Sequence, residues 1–309
     1  MMGSPVSLVV SSSSNGDLKS SVVKAFDLVN FNPTRQVKTA IIKPNLNYYW
    51  EASTGCTTDP RLVGALIDYL RERYNEDLVI KIAEADASAM RTKHVFPMLG
   101  YDKLAKNKKV ELLNLSTDVS KKEKVSINGH NMTFEVPQSL ADADLFFNVP
   151  KLKIMRVTKI TCAMKNIFGC IATPRKFTYH SFLDEAIVGI NKVLQPDVTL
   201  VDGLVGLGRF PVKLNLIMAG ADVFSIDWIV ARIAGYNPAK VRFLRIAMRE
   251  KVGSPNGVLT RGEDLAHFKK KFPGEGFLSQ SLLWSLQFRM LRLYKKISGD
   301  VLPPFLEEG

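Results

Sequence analysis

Apolar residues in this chain come in short runs that often end on a charged or amide side chain, and these runs alternate with stretches of helical period. Val6–Val10, Lys38–Lys43, Leu78–Ala83, Val110–Leu115, Leu145–Val149, Asp197–Val201 and Leu214–Met218 have the length and β-branched content of buried strands. Between them, Asp17–Leu28, Arg61–Tyr74, Met90–Leu99, Thr158–Phe168, Phe182–Leu194, Ser225–Ala234 and Pro238–Met248 read as helices. Asp17 and Asp59 are placed as caps, and Pro60 stands at a first helical position. Strands alternating with helices predict an α/β fold, a mostly parallel sheet with helices on both faces. A polar, basic excursion over Asp118–Thr133 carries Asn128-Gly129, a hairpin signal, so a small hairpin insertion is expected near residues 118–137. The domain reading is one α/β domain over residues 1–260, or two intertwined lobes. A basic, amphipathic C-terminal helical extension follows over 261–309.

Four strand ends carry polar side chains: Lys43, Asn45 and Asn47; Glu84 and Asp86; Lys151 and Lys153; and Asp202. A parallel sheet brings such ends to one edge, where open α/β sheets place their ligands. Polar residues after strands are also ordinary turn formers. Lysine is a poor one, and in IIK and VPKLK its ammonium would be desolvated unless an anion pairs with it.

The densest stretch is NVPKLKIMRVTKITCAMKNIFGCI, residues 148–171. On the expected helix, Lys159, Ala163 and Asn166 share one side, and Thr158, Thr161, Cys162 and Lys165 the next. Threonines opening a helix would offer hydroxyls and free N–H groups to an anion, Thr158 among them, or would simply cap it. Cys162 and Cys170 read as core thiols. Arg175, Lys176, Tyr179 and His180 follow on a loop, and His180 is the histidine nearest other candidates.

Composition narrows the classes. At 46% hydrophobic and 23% charged, this is a globular sequence, and no apolar run reaches the ~18–20 residues of a membrane span. Three scattered cysteines predict no disulfide framework and fit a reducing cytoplasm. No iron–sulfur cluster or zinc site is predicted, because neither the thiolate spacing nor a set of three nitrogen or sulfur ligands is present. Gly203, Gly206 and Gly208 form a weak, reversed dinucleotide fingerprint with no acidic residue at the right distance. The net charge of +12 favours anionic partners. Part of it lies near residues 277–297, where Leu278, Leu282, Leu286, Met290, Leu293 and Ile297 make an apolar stripe opposite Arg289, Arg292 and Lys296. Such a helix packs on its own domain, on a second copy in a homodimer, or peripherally on an acidic membrane. Aromatics do not interleave with the basic residues, so nucleic acid is the weakest partner class.

IIKPNLN (41–47), TTDPRLVGALIDYL (57–70), AEAD (83–86), ADLFFNVPKLKI (143–154), TCAMKNIFGCI (161–171), RKFTYH (175–180), TLVDGLVGLG (199–208) and IMAGADVFSID (217–227) together resemble domain-of-unknown-function family 362, over about residues 38–250. The resemblance implies an α/β domain with a shared pocket and brings little biochemistry. Some relatives carry ferredoxin-like cluster domains, for which this chain lacks the cysteines. Relatives tend to have a histidine after the PKLK lysines, where Ile154-Met155 stands, and a glycine-proline run where Arg209-Phe210-Pro211 stands.

The favoured expectation is an enzyme binding a small carboxylate or phosphate in a lysine-rich pocket. Lys43, Asn45, Lys151, Lys153, Thr158, Asn166 and Arg175 would bind the substrate, with Lys165, Glu84, His180 and Asp202 for acid/base work. Grouped lysines depress one another's pKa, so one could act as base or amine nucleophile in proton transfer, isomerisation or elimination. The alternatives are a redox protein working with a separate iron–sulfur partner and a membrane-surface module.

Overall fold

The computed structural model describes residues 4–11, 18–32, 36–75 and 77–274. Its strands are β1 (Ser4–Val10), β2 (Thr39–Pro44), β3 (Val79–Glu84), β4 (Glu111–Asn114), β5 (Ser120–Ile127), β6 (His130–Pro137), β7 (Leu145–Val149), β8 (Lys151–Met155), β9 (Lys159–Thr161), β10 (Val198–Leu207), β11 (Pro211–Gly220) and β12 (Val258–Gly262). The helices are α1 (Leu18–Leu28), α2 (Pro60–Arg73), α3 (Thr92–Met98), α4 (Tyr101–Lys108), α5 (Gln138–Asp142), α6 (Ala163–Phe168), α7 (Leu183–Val193), α8 (Val223–Ile233), α9 (Arg242–Arg249) and α10 (Leu265–Lys271).

A large sheet runs β12-β1-β11-β10-β7-β2-β3-β4, with β8 and β9 attached beside β10. From β10 to β4 the strands are parallel, and β11 runs against both neighbours. Alternate residues of one strand supply opposite cores. Ile41, Phe146, Val201 and Met218 pack with Ile167, Ile187, Ile229 and Phe243 of α6 to α9, whereas Ile42, Phe147, Leu200 and Ile217 pack with Phe26, Leu66 and Ile67 of α1 and α2. The two-residue strand period thus builds a sheet with helices on both faces, as the alternation predicted.

Local chemistry sets several boundaries. Asp59 accepts from the Arg61 N–H at 2.9 Å and opens α2 with Pro60 at its start. Asn128 and Gly129 turn β5 into β6 with φ of 50° and 83°, the left-handed pair that the hairpin signal calls for.

Two expectations change. Thr158–Phe168 is not one helix: β9 lies antiparallel to β8, and the helix is confined to Ala163–Phe168. Val157, Thr158, Ile160 and Thr161 are β-branched and favour extended backbone over helix. Gly203 and Gly206 lie inside β10, not in a phosphate loop. A Cβ on Gly203 would stand 2.9 Å from the Leu216 carbonyl, so this glycine serves the close approach of β11. The stripe at 277–297 and the cap at Asp17 lie outside the described residues.

Candidate functional site

Pro150 has no N–H to continue the ladder, so β7 ends there and β8 resumes alongside β10, with Lys151 opposite Asp202. This register creates an ion pair of 2.9 Å between two side chains that are fully buried. Asp202 also accepts from the N–H groups of Asp59 at 2.7 Å and Leu204 at 3.0 Å. Two strands away, at the ends of β2 and β3, Lys43 meets Glu84 at 2.7 Å, again buried. Glu84 accepts from the N–H groups of Leu46 and Ala85 at 3.0 and 2.9 Å. The counter-anions of Lys43 and Lys151 are therefore supplied by the chain itself. Backbone donors satisfy the remaining oxygens, as buried pairs require.

Lys153 differs. It is 3% exposed, yet its Nζ donates to the Asn45 amide oxygen and the Cys56 carbonyl, each at 2.8 Å. Both partners are neutral. Burial, then the Lys165 ammonium, lowers its pKa to about 7. Lys165, half-buried on α6, donates to Thr161 Oγ1 at 3.4 Å, and burial lowers its pKa to about 8 while Asp184 opposes the shift.

Three amides hold this region in register. Asn45 donates to Asn166 Oδ1 at 3.0 Å, and Asn166 donates to Asn148 Oδ1 at 2.8 Å and to the Lys43 carbonyl at 3.1 Å. Asn148 donates to the Ala163 carbonyl at 3.2 Å and Thr199 Oγ1 at 3.3 Å. Beneath them Asp227 accepts from the N–H groups of Ala163 and Met164 at 2.7 and 3.0 Å. A carboxylate from α8 thus occupies the start of α6, where the sequence had placed threonines. Its own burial raises its pKa to about 7.

Other expected residues sit apart from this group or take another part. Thr158 is buried on the β8–β9 turn, and its hydroxyl donates to the Ile160 carbonyl at 2.9 Å, so it caps no helix. Arg175 is exposed. His180 is exposed on a 3₁₀ turn over Lys176–Phe182, and shielding of its ring, then the Lys165 charge, lowers its pKa. Cys162 and Cys170 are buried, and burial raises both thiols, Cys170 to about 12. Among the described residues no three His, Cys, Asp or Glu side chains gather as metal ligands. Two surface clefts, one at Ser20, Lys24 and Asp27 on α1 and one at Pro5, Phe31 and Asp197, are lined by none of the site residues.

Sequence reasoning named Lys176 on its loop without giving it a part in the site, and overlooked Asn148, Asp184 and Asp227. Lys176 is buried and donates to the Asp86 carbonyl at 2.5 Å, and burial lowers its pKa to about 8. The lysine-at-an-apolar-position signal that marked Lys43 could not mark Lys176, which sits between Arg175 and Phe177 in a loop.

The sequence profile of the family described as "Domain of unknown function (DUF362)" matches residues 41–232, and the chain belongs to that family. It is 25% identical over 227 residues to a thylakoid-associated protein of Synechocystis sp., covering 69% of this chain and 67% of that protein. In solved structures it is similar to the lactate racemase apoprotein from Thermoanaerobacterium thermosaccharolyticum, with a TM-score of 0.46 and 13% identity. That match covers 75% of this chain and spans 57% of the racemase chain.

Proposed function

We propose that this member of the family is an enzyme that holds a small carboxylate or phosphate against Lys153 and Lys165 and moves a proton on it. The observation that carries the reading is the Lys153 ammonium, buried with neutral partners only. A buried ammonium beside amides is costly, and an anion arriving at it supplies the missing counter-charge. Lysines with pKa values of about 7 and 8 exchange protons readily near neutrality, which suits general acid/base work. In this reading Lys153 and Lys165 bind the anion and trade the proton, and Asn45 orients Lys153. His180, next to Lys165, passes the proton to solvent. Lys43–Glu84 and Lys151–Asp202 are the fixed ion pairs that hold the strand ends, a change from the catalytic parts first given to Glu84 and Asp202. Mass spectrometry of small molecules released from denatured protein tests this. An anionic metabolite should accompany the parent protein and be absent from folded Lys153→Met and Lys165→Ala variants. Its retention by both variants would contradict the site.

A second reading, a peripheral membrane protein, has the net charge of +12 and the thylakoid-associated relative behind it. No described helix is long and apolar enough to cross a membrane. Flotation with acidic vesicles, with and without Trp284→Ser and Phe288→Ser, tests it. Absence of binding by the parent protein rejects it.

A further inference from the structure

Lys165 and Asn166 are neighbours on α6; Lys165 is half-buried and Asn166 is 1% exposed. The Asn166 amide stands in the middle of a chain of side chains that begins at Lys153. Lys153 Nζ donates to Asn45 Oδ1 at 2.8 Å, Asn45 Nδ2 to Asn166 Oδ1 at 3.0 Å, and Asn166 Nδ2 to Asn148 Oδ1 at 2.8 Å. The far end is anchored on main chain. Asn166 Nδ2 also donates to the Lys43 carbonyl at 3.1 Å, and Asn148 Nδ2 to the Ala163 carbonyl at 3.2 Å. A carbonyl can only accept, so these two bonds decide which atom of each amide is nitrogen. Asn148 and Asn166 must turn their NH2 groups to the carbonyls, which leaves the Asn166 oxygen for Asn45. Asn45 must then give its NH2 to Asn166 and its oxygen to Lys153. No amide in the chain can flip alone without setting two donors or two acceptors against each other in a buried place.

We infer that Asn166 is a positioning residue of the proposed site: acting through Asn45, it holds an oxygen rather than an N–H group against the Lys153 ammonium. Its side chain bonds Asn45, Asn148 and the Lys43 main chain, so its influence on Lys153 passes through Asn45. The Asn45 main chain is already fixed, since its N–H donates to Thr58 Oγ1 at 2.8 Å and its carbonyl accepts from the Thr58 N–H at 2.9 Å. Rotation of the side chain is the freedom that remains, and the bond to Asn166 removes it. One short helix therefore places both lysines: α6 carries Lys165 directly and orders Lys153 at the other end of the amide chain. Amides suit this part better than carboxylates. A carboxylate at 45 would neutralise Lys153, whereas an amide oxygen holds the amine in place and leaves its charge for an incoming anion.

The inference rests on the proposed anion site at Lys153, and its test separates the two. The Lys153 amine is followed by NMR in the full chain labelled with 13C at lysine Cε, its signal being the one lost in Lys153→Met. The other titratable groups facing Lys153 are Lys165, Lys151, Cys56 and Cys162, none of them in the amide chain. Asn166→Leu fills the space without offering Asn45 an oxygen, and the Lys153 midpoint should fall by about half a unit or more, a roughly threefold weaker hold on the proton. Asn45→Leu should lower it too, and adding Asn166→Leu to Asn45→Leu should change nothing further. Asn191→Leu removes the 2.8 Å bond from α7 to the Met164 carbonyl of α6 and controls for loosening of the helix; it should leave the midpoint unchanged. Succinate and inorganic phosphate binding is measured in parallel by isothermal titration. Binding that depends on Lys153, with a Lys153 midpoint unmoved by Asn166→Leu or moved equally with and without Asn45, would overturn the positioning role alone. The expected midpoints, with neither anion bound or with binding indifferent to Lys153→Met, would uphold the amide chain and overturn the anion site. If Asn166→Leu does not fold, the parent protein decides: the Asn45 and Asn166 side-chain NH2 protons should exchange far more slowly than free amides. Exchange of either at the free rate would show that Asn45 is not held.

Discussion

The Lys153 ammonium lies 2.8 Å from the amide oxygen of Asn45, where Lys43 and Lys151 have carboxylates. That difference gives Lys153 a measurable signature. Its folded-state pKa is about 7, against an ordinary 10.5 in the unfolded chain. Between these values the unfolded chain binds the extra proton, so folding stability rises with pH across that window. Lys165 and Lys176, at about 8, add to the slope above pH 8. Urea unfolding from pH 7 to 9 should therefore show stability increasing. In Lys153→Met the slope should fall by at most about 1.4 kcal/mol per pH unit. An unchanged slope would mean that Lys153 is not buried without a counter-charge.

Lys151→Met and Lys153→Met, chemically the same change two residues apart, should differ sharply in cost near neutral pH. Removing Lys151 strands the buried Asp202 carboxylate and should cost about 3 kcal/mol or more, the backbone donors from Asp59 and Leu204 limiting the loss. Removing Lys153 takes away a desolvated cation, offset by the two acceptors it leaves behind, and should change stability by about 1 kcal/mol or less. Denaturant midpoints measured at pH 7 compare them directly.

Asp227→Ala removes the acceptor for two N–H groups of α6 and should destabilise the protein by about 2–4 kcal/mol. Asp227→Asn, which keeps one acceptor oxygen, should lose less. Hydrogen exchange at Ala163 and Met164 should accelerate in both. Protection equal to the parent's would show that α6 is held by packing alone.

Much of the sheet could be read from single segments. Leu145–Val149 is the expected strand to the residue, and Asp59-Pro60 opens α2 as its chemistry requires. What failed depended on partners distant in sequence. The Lys159–Thr161 stretch pairs with β8 because tertiary context offers it an edge, and helical spacing carries no trace of that pairing. The lysines at strand ends were legible as an anomaly, since desolvated ammonium groups require an explanation. That Glu84 and Asp202 supply it for Lys43 and Lys151 follows from strand order and register, which no local pattern encodes. Asp227 was hidden for the same reason: its role is fixed by α8 packing under α6, 64 residues away.

The most direct measurement is the number of protons exchanged when an anion binds. An anion seated against Lys153 and Lys165 favours their charged forms and raises both pKa values, so binding at pH 8 must draw protons from the buffer. Isothermal titration of succinate in two buffers of different ionisation enthalpy yields that number. Uptake of about half a proton to one and a half protons per chain is expected at pH 8, falling in Lys153→Met and vanishing below pH 6. Binding at pH 8 without proton uptake would contradict it.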